Sequence, residues 1–79
     1  MTIERILELY EARPFRPFVI HTADGRKVPV AHPEFLATAP SGQTISVYLP
    51  DDSFEIIDVP LITALVLKPN GARRSKSRR

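Results

Sequence analysis

The chain reads as a mainly β fold with one N-terminal helix: a small, strongly bent antiparallel barrel of five to six strands. Three observations predict it. Apolar residues follow a helical period only near the start and switch to a period of two from Phe18 onward. Turn-forming clusters then recur at roughly ten-residue intervals, the spacing of a small sandwich or barrel. The chain is only 79 residues long and has no cysteine. A sheet that closes on itself is the economical way to remove edges from so short a chain.

Residues 2–12 read as the helix. Ile3, Ile6, Leu7 and Tyr10 form one stripe at i, i+3, i+4 and i+7. Thr2 stands at the N-cap position and Glu4 near the positive end of the helix dipole. Pro14 stops the helix, because the residue before a proline is driven out of helical geometry.

Arg13-Pro14-Phe15 and Arg16-Pro17-Phe18 repeat one triplet. Both prolines hold the chain extended. The segment reads either as a rigid connector whose phenylalanines dock on the core, or as a proline-rich ligand for a partner domain.

Strands follow at 18–22 and 27–30, joined at Asp24-Gly25, a dipeptide suited to a tight hairpin whose two central residues take positive φ. Further strands are expected at 35–39, 44–49, 54–59 and 61–67. Pro40 to Gln43 and Pro50 to Ser53 supply turns. In the fourth strand Ile45, Val47 and Leu49 face one way, and Thr44, Ser46 and Tyr48 the other. The last strand is apolar on both faces. It is therefore expected to be covered by the core on one side and by the helix or a second subunit on the other, with Ile62, Ala64, Leu65, Val66 and Leu67 as an oligomer contact.

Charge divides the chain in two. Residues 1–67 carry five basic and all nine acidic side chains, a net −4, and form the helix-plus-barrel domain. Residues 68–79 carry six basic side chains and no acid, and read as a disordered basic tail. Lys68, Arg73, Arg74, Lys76, Arg78 and Arg79 are candidate nucleic-acid contacts, RNA or DNA, made to phosphate without sequence preference. The tail has no aromatic residue for base stacking. Two other readings stay open: a purely solubilising end, and a tail folded back on Asp51, Asp52 and Glu55 in its own or a neighbouring subunit. Within the body, Arg13, Arg16, Arg26 and Lys27 would make a basic rim if copies formed a ring.

His21, Asp24, His32 and Glu34 are the nearest thing to a metal or acid–base cluster, but they match no ligand spacing. Pro33 and Glu34 read as a turn, with Phe35 entering the core. The glycines are too scattered for a phosphate loop, and the serines have no matching His/Asp arrangement. No catalytic residue, metal, cofactor or small-molecule substrate is therefore assigned. The chain shows no leader pattern and no apolar run of about 20 residues, so the expectation is a cytoplasmic protein with no membrane partner. A body this small is marginal alone, which favours a homo-oligomer.

Three strings together, Arg13 through His21, Asp24-Gly25-Arg26 and His32-Pro33-Glu34-Phe35, resemble a family of short, uncharacterised bacterial proteins, over roughly residues 2–67. Ser53 through Asp58, before a final strand, fits the same family. The resemblance implies no function. A more distant likeness is to Sm-like proteins, including Hfq-type RNA chaperones, in element order, the Asp24-Gly25 hairpin and a last strand at 62–66. It implies a bent barrel and RNA binding. The uridine site of the Hfq type uses a lysine and a histidine just before the last strand. This chain has Ile57-Asp58-Val59-Pro60-Leu61 there, so that site does not carry over. Together these observations give a non-enzymatic, self-associating module that touches nucleic acid through its tail. The alternative is a protein-interaction module using the Pro/Phe segment or the last strand.

Overall fold

A computed structural model describes residues 1–67; every expectation placed on residues 68–79 lies outside the described residues. The helix, α1, spans Ile3–Glu11. Thr2 holds the N-cap position but its hydroxyl makes no capping bond; Arg5 N–H donates to Thr2 O at 3.2 Å instead. Ile6 is fully buried, and Ile3 and Tyr10 lie against the core as the stripe predicts. Leu9, which the stripe omits, packs beside them, in place of Leu7, which is half-buried but not among the side chains packed on the core.

Six strands follow: β1 Phe18–Thr22, β2 Lys27–Val30, β3 Leu36–Thr38, β4 Thr44–Tyr48, β5 Phe54–Asp58 and β6 Ile62–Leu67. All pairings are antiparallel. They make two three-stranded sheets, ordered β2-β1-β6 and β3-β4-β5. Among the described residues no ladder joins one sheet to the other, so the closed barrel gives way to two separate small sheets. Proline supplies a physical reason. One-turn 3₁₀ segments at Pro33–Phe35 and Val59–Leu61 interrupt the chain where it passes between sheets. Pro33 and Pro60 have no N–H with which to continue a ladder. Pro29 lies in β2, at a sheet edge, where a missing donor is tolerated.

One core serves both sheets. Phe18, Ile20, Val28 and Ile62 from the first meet Leu36, Ile45, Val47 and Ile57 from the second, with Ile6 of α1 and Val59 of the second 3₁₀ turn. Each such side chain contributes about 1.5–3 kcal/mol by leaving water. The Pro/Phe segment joins this core: Phe18 is buried, and Phe15 is half-buried with its ring centroid 5.9 Å from that of Phe18.

The β1–β2 turn differs from the tight hairpin expected. Gly25 has φ 91° while Asp24 does not take a positive φ. Thr22 N–H donates to Arg26 O at 3.0 Å and Gly25 N–H to Thr22 O at 3.0 Å. This is a three-residue loop, a type I turn closed by a left-handed glycine. Thr22, 5% exposed, explains the choice. Its hydroxyl donates to the Asp24 carboxylate and accepts from Arg26 N–H at 3.0 Å, which holds Asp24 facing back over the turn. The β4–β5 turn is built the same way. Asp52 sits at φ 70°, with Asp52 N–H to Leu49 O at 3.0 Å and Leu49 N–H to Ser53 O at 2.8 Å.

Candidate interaction face

The strand register decides which side chains the β3-β4-β5 sheet turns outward. Leu36 pairs with Val47 and Ile45 with Ile57, and all four point into the core. The alternate positions therefore face away. Ala37 lies beside Ser46, Ser46 beside Ile56, and Tyr48 beside Phe54. Tyr48 is 53% exposed, Phe54 47% and Ile56 62%. Cross-strand neighbours of this kind touch, and the Tyr48 and Phe54 rings meet edge to face at 5.0 Å and 79°.

Phe35 extends this surface rather than entering the core. It sits at the end of the first 3₁₀ turn, half-buried, against the His32 ring at 5.3 Å and 80°. Two shallow clefts flank the Phe35–Tyr48 ridge. One, of about 290 Å³, is lined by Glu34, Phe35, Ala37, Ser46, Tyr48 and Phe54. The other, of about 330 Å³, is lined by Pro29, Ala31, His32, Phe35, Tyr48 and Pro50.

The surroundings are acidic. Residues 28–67 contain Glu34, Asp51, Asp52, Glu55 and Asp58, and no lysine or arginine. Asp58 continues the outward row of β5, Glu34 lines a cleft, and Asp51 and Asp52 form the turn between Tyr48 and Phe54. Asp51 accepts from Ser53 Oγ at 2.5 Å and from Ser53 N–H at 3.0 Å. These bonds hold its carboxyl below the ordinary carboxylate range, so it stays ionised through neutral pH. Glu55 faces the other way and takes the Arg26 guanidinium at 2.7 Å.

Of the residues singled out from the sequence, His32 and Glu34 border this face and the others fall elsewhere. His21 is half-buried in β1, Asp24 is engaged by Thr22 and Arg26, and His32 and Glu34 are exposed near Phe35. Among the described residues no three His, Cys, Asp or Glu side chains converge on a metal position. In β6, Ile62 is 1% exposed and belongs to the core, Leu65 and Leu67 lean on it, and Ala64 is half-buried. The exposed positions of the strand are Thr63 and Val66, the latter 44% exposed. The nucleic-acid candidates Lys68 to Arg79 lie outside the described residues. In the body, Arg13 donates to Tyr10 O and Ala12 O, and Arg26 is held by two carboxylates, so these two are not simple rim charges. α1, with nine residues, is far too short to cross a membrane, and no described helix is long and apolar enough to do so.

The aromatic face lies outside the sequence expectations, though the sequence carries a signal for it. Phe54 and Ile56 share the parity of Asp58 and oppose Ile57, which makes β5 apolar on both faces. Compared with known families, curated proteins and solved structures, the chain matches none.

Proposed function

We propose that the protein is a non-enzymatic interaction module. The outer face of its β3-β4-β5 sheet docks an extended cationic segment of a partner protein. The observation that carries this reading is the Tyr48–Phe54 pair, half-exposed beside Ile56, with a cleft on each side of Tyr48 and acids around it. An arginine fits such a surface twice over: its planar guanidinium stacks on aromatic rings and pairs with carboxylates. Apolar or proline side chains between the arginines would fill the clefts, as extended proline-rich segments do on aromatic-lined grooves.

This places the contact elsewhere than the Pro/Phe segment, whose phenylalanines pack within the chain. Self-association through Val66 and the free edge of β6 is a further part of the proposal, and cytoplasmic residence fits a module of this kind. Binding of arginine- and proline-bearing peptides to the full chain, compared with the Tyr48→Ala, Phe54→Ser double variant, tests the reading. Binding by the wild type and its loss in the variant support it; equal binding by both sinks it.

The six cations of residues 68–79 favour a second reading, non-specific nucleic-acid contact. If all six engaged single-stranded nucleic acid, the logarithm of affinity would fall against the logarithm of salt with a slope of about −4. An acidic aromatic sheet repels phosphate, so this contact would belong to the tail alone.

A further inference from the structure

Resting on that reading of the aromatic face, we propose that the chain's own C-terminal segment, residues 68–79, docks on the outer face of the β3-β4-β5 sheet and competes there with the partner.

Where the chain leaves the fold supports this. β6 ends at Leu67, which pairs with Phe18, and Phe18 pairs on its other side with Val30. Leu67 therefore lies two strand spacings, about 10 Å, from Val30. Immediately after Val30 come Ala31 and His32, which line the cleft beside Phe35 and Tyr48. Twelve residues reach at most about 40 Å, against about 10 Å to Val30.

Charge is the second support. The segment holds Lys68, Arg73, Arg74, Lys76, Arg78 and Arg79 and no acid. The sheet it would meet presents Glu34, Asp51, Asp52 and Asp58, and residues 28–67 supply no lysine or arginine to oppose it. Arginine also suits the exposed Tyr48 and Phe54 rings. The segment has no large apolar side chain with which to occupy the clefts permanently. It is thus built to cover the face weakly and yield to a partner that adds apolar contacts. Tethering compensates for the weakness, since a short linker gives an effective concentration in the millimolar range.

The test uses full-length protein. One variant carries all six tail cations changed to glutamine. A synthetic peptide of residues 68–79 is titrated into it and into the wild type, with amide shifts followed by NMR. The expected result is saturable shifts at Ala37, Ser46, Tyr48, Phe54 and Ile56 in the neutralised variant. Apparent affinity for the wild type should be several-fold weaker, because its own tail occupies the face. Adding Tyr48→Ala to the neutralised variant, with the fold confirmed by its dispersed spectrum, should remove the shifts. Equal affinity for both chains, shifts on another surface, or survival of binding after Tyr48→Ala would each overturn the proposal. An unrelated arginine–proline peptide is run in parallel. If it titrates the face while peptide 68–79 does not, self-docking falls and the interaction module stands. If neither binds, both fall.

Discussion

Arg26 Nη1 donates to Glu55 Oε1 over 2.7 Å and so ties the β1–β2 hairpin to β5, in the opposite sheet, across 29 positions of sequence. The same guanidinium holds Asp24 at 3.2 Å through Nε. The Arg26–Glu55 ion pair thus bridges the two sheets. Both side chains are partly exposed, which limits what the pair contributes and makes it sensitive to salt. Glu55→Gln should lower the urea midpoint modestly in dilute buffer and hardly at all in about 1 M salt, where the screening length is about 3 Å. Arg26→Gln should cost more, because it releases Asp24 as well. Equilibrium denaturation of the two single variants and the double variant checks the coupling: the two losses should add to more than the double variant shows.

Acid should weaken the fold through the same turn. The Thr22 hydroxyl, and after it Arg26, hold the Asp24 carboxyl below its ordinary range. A carboxyl whose pKa is lower in the folded than in the unfolded chain stabilises fully above the unfolded value and loses that contribution as pH falls through the folded one. The window therefore opens below about pH 4. Asp24→Asn should cost stability at pH 7 and progressively less toward pH 2. Urea midpoints at pH 7, 4 and 2 give the comparison, and a pH-independent cost would show that Asp24 acts through geometry alone.

The helix is seated on a glycine. Gly42, at φ 74°, lies in the β3–β4 turn, and a Cβ added there would meet Ile3 Cγ2 at 3.2 Å. Gly42→Ala combines a left-handed backbone with that contact, so a loss of about 1–2 kcal/mol is expected from the backbone alone. Ile3→Ala in the same background should relieve the contact but not the backbone strain. Thermal melts of the two single variants and the double variant separate these effects.

The strands and helix were legible because their apolar periods are clean: Ile45 and Val47 against Thr44 and Ser46, or Ile3 and Ile6 against Glu4 and Arg5. What periodicity does not encode is how two sheets join. The separate ladders follow from Pro33 and Pro60, each of which reads as a simple pause in sequence and builds a 3₁₀ turn in the fold. The hairpin type departs from the sequence expectation because Thr22, buried and hydrogen-bonded, outweighs the preference of Asp24-Gly25 for a two-residue turn. Hydrophobicity alone puts Phe35 in the core, yet its position in a 3₁₀ turn puts it beside Tyr48 at the clefts. The candidate face was hidden for the same reason. Tyr48, Phe54 and Ile56 become one surface only through the β4–β5 register.

Tyr48 and Phe54 lie outside the core, so replacing them should leave the fold standing. Tyr48→Ala forfeits the aromatic pair, worth about 0.5–1.5 kcal/mol beyond area burial. That is small beside Ile6→Ala, which hollows a fully buried site and should cost about 2–5 kcal/mol. Chemical denaturation of both variants should show this gap. A loss of the Ile6→Ala size at Tyr48 would mean that its ring is a structural element rather than a docking surface.

The most direct measurement is an NMR titration of the full chain, with its tail cations changed to glutamine, by an arginine- and proline-bearing peptide. The account predicts shifts gathered on Ala37, Ser46, Tyr48, Phe54 and Ile56, weakened by salt and abolished by Tyr48→Ala with Phe54→Ser. Shifts centred instead on β6 or on the Pro/Phe segment, or binding that survives the double substitution, would contradict it.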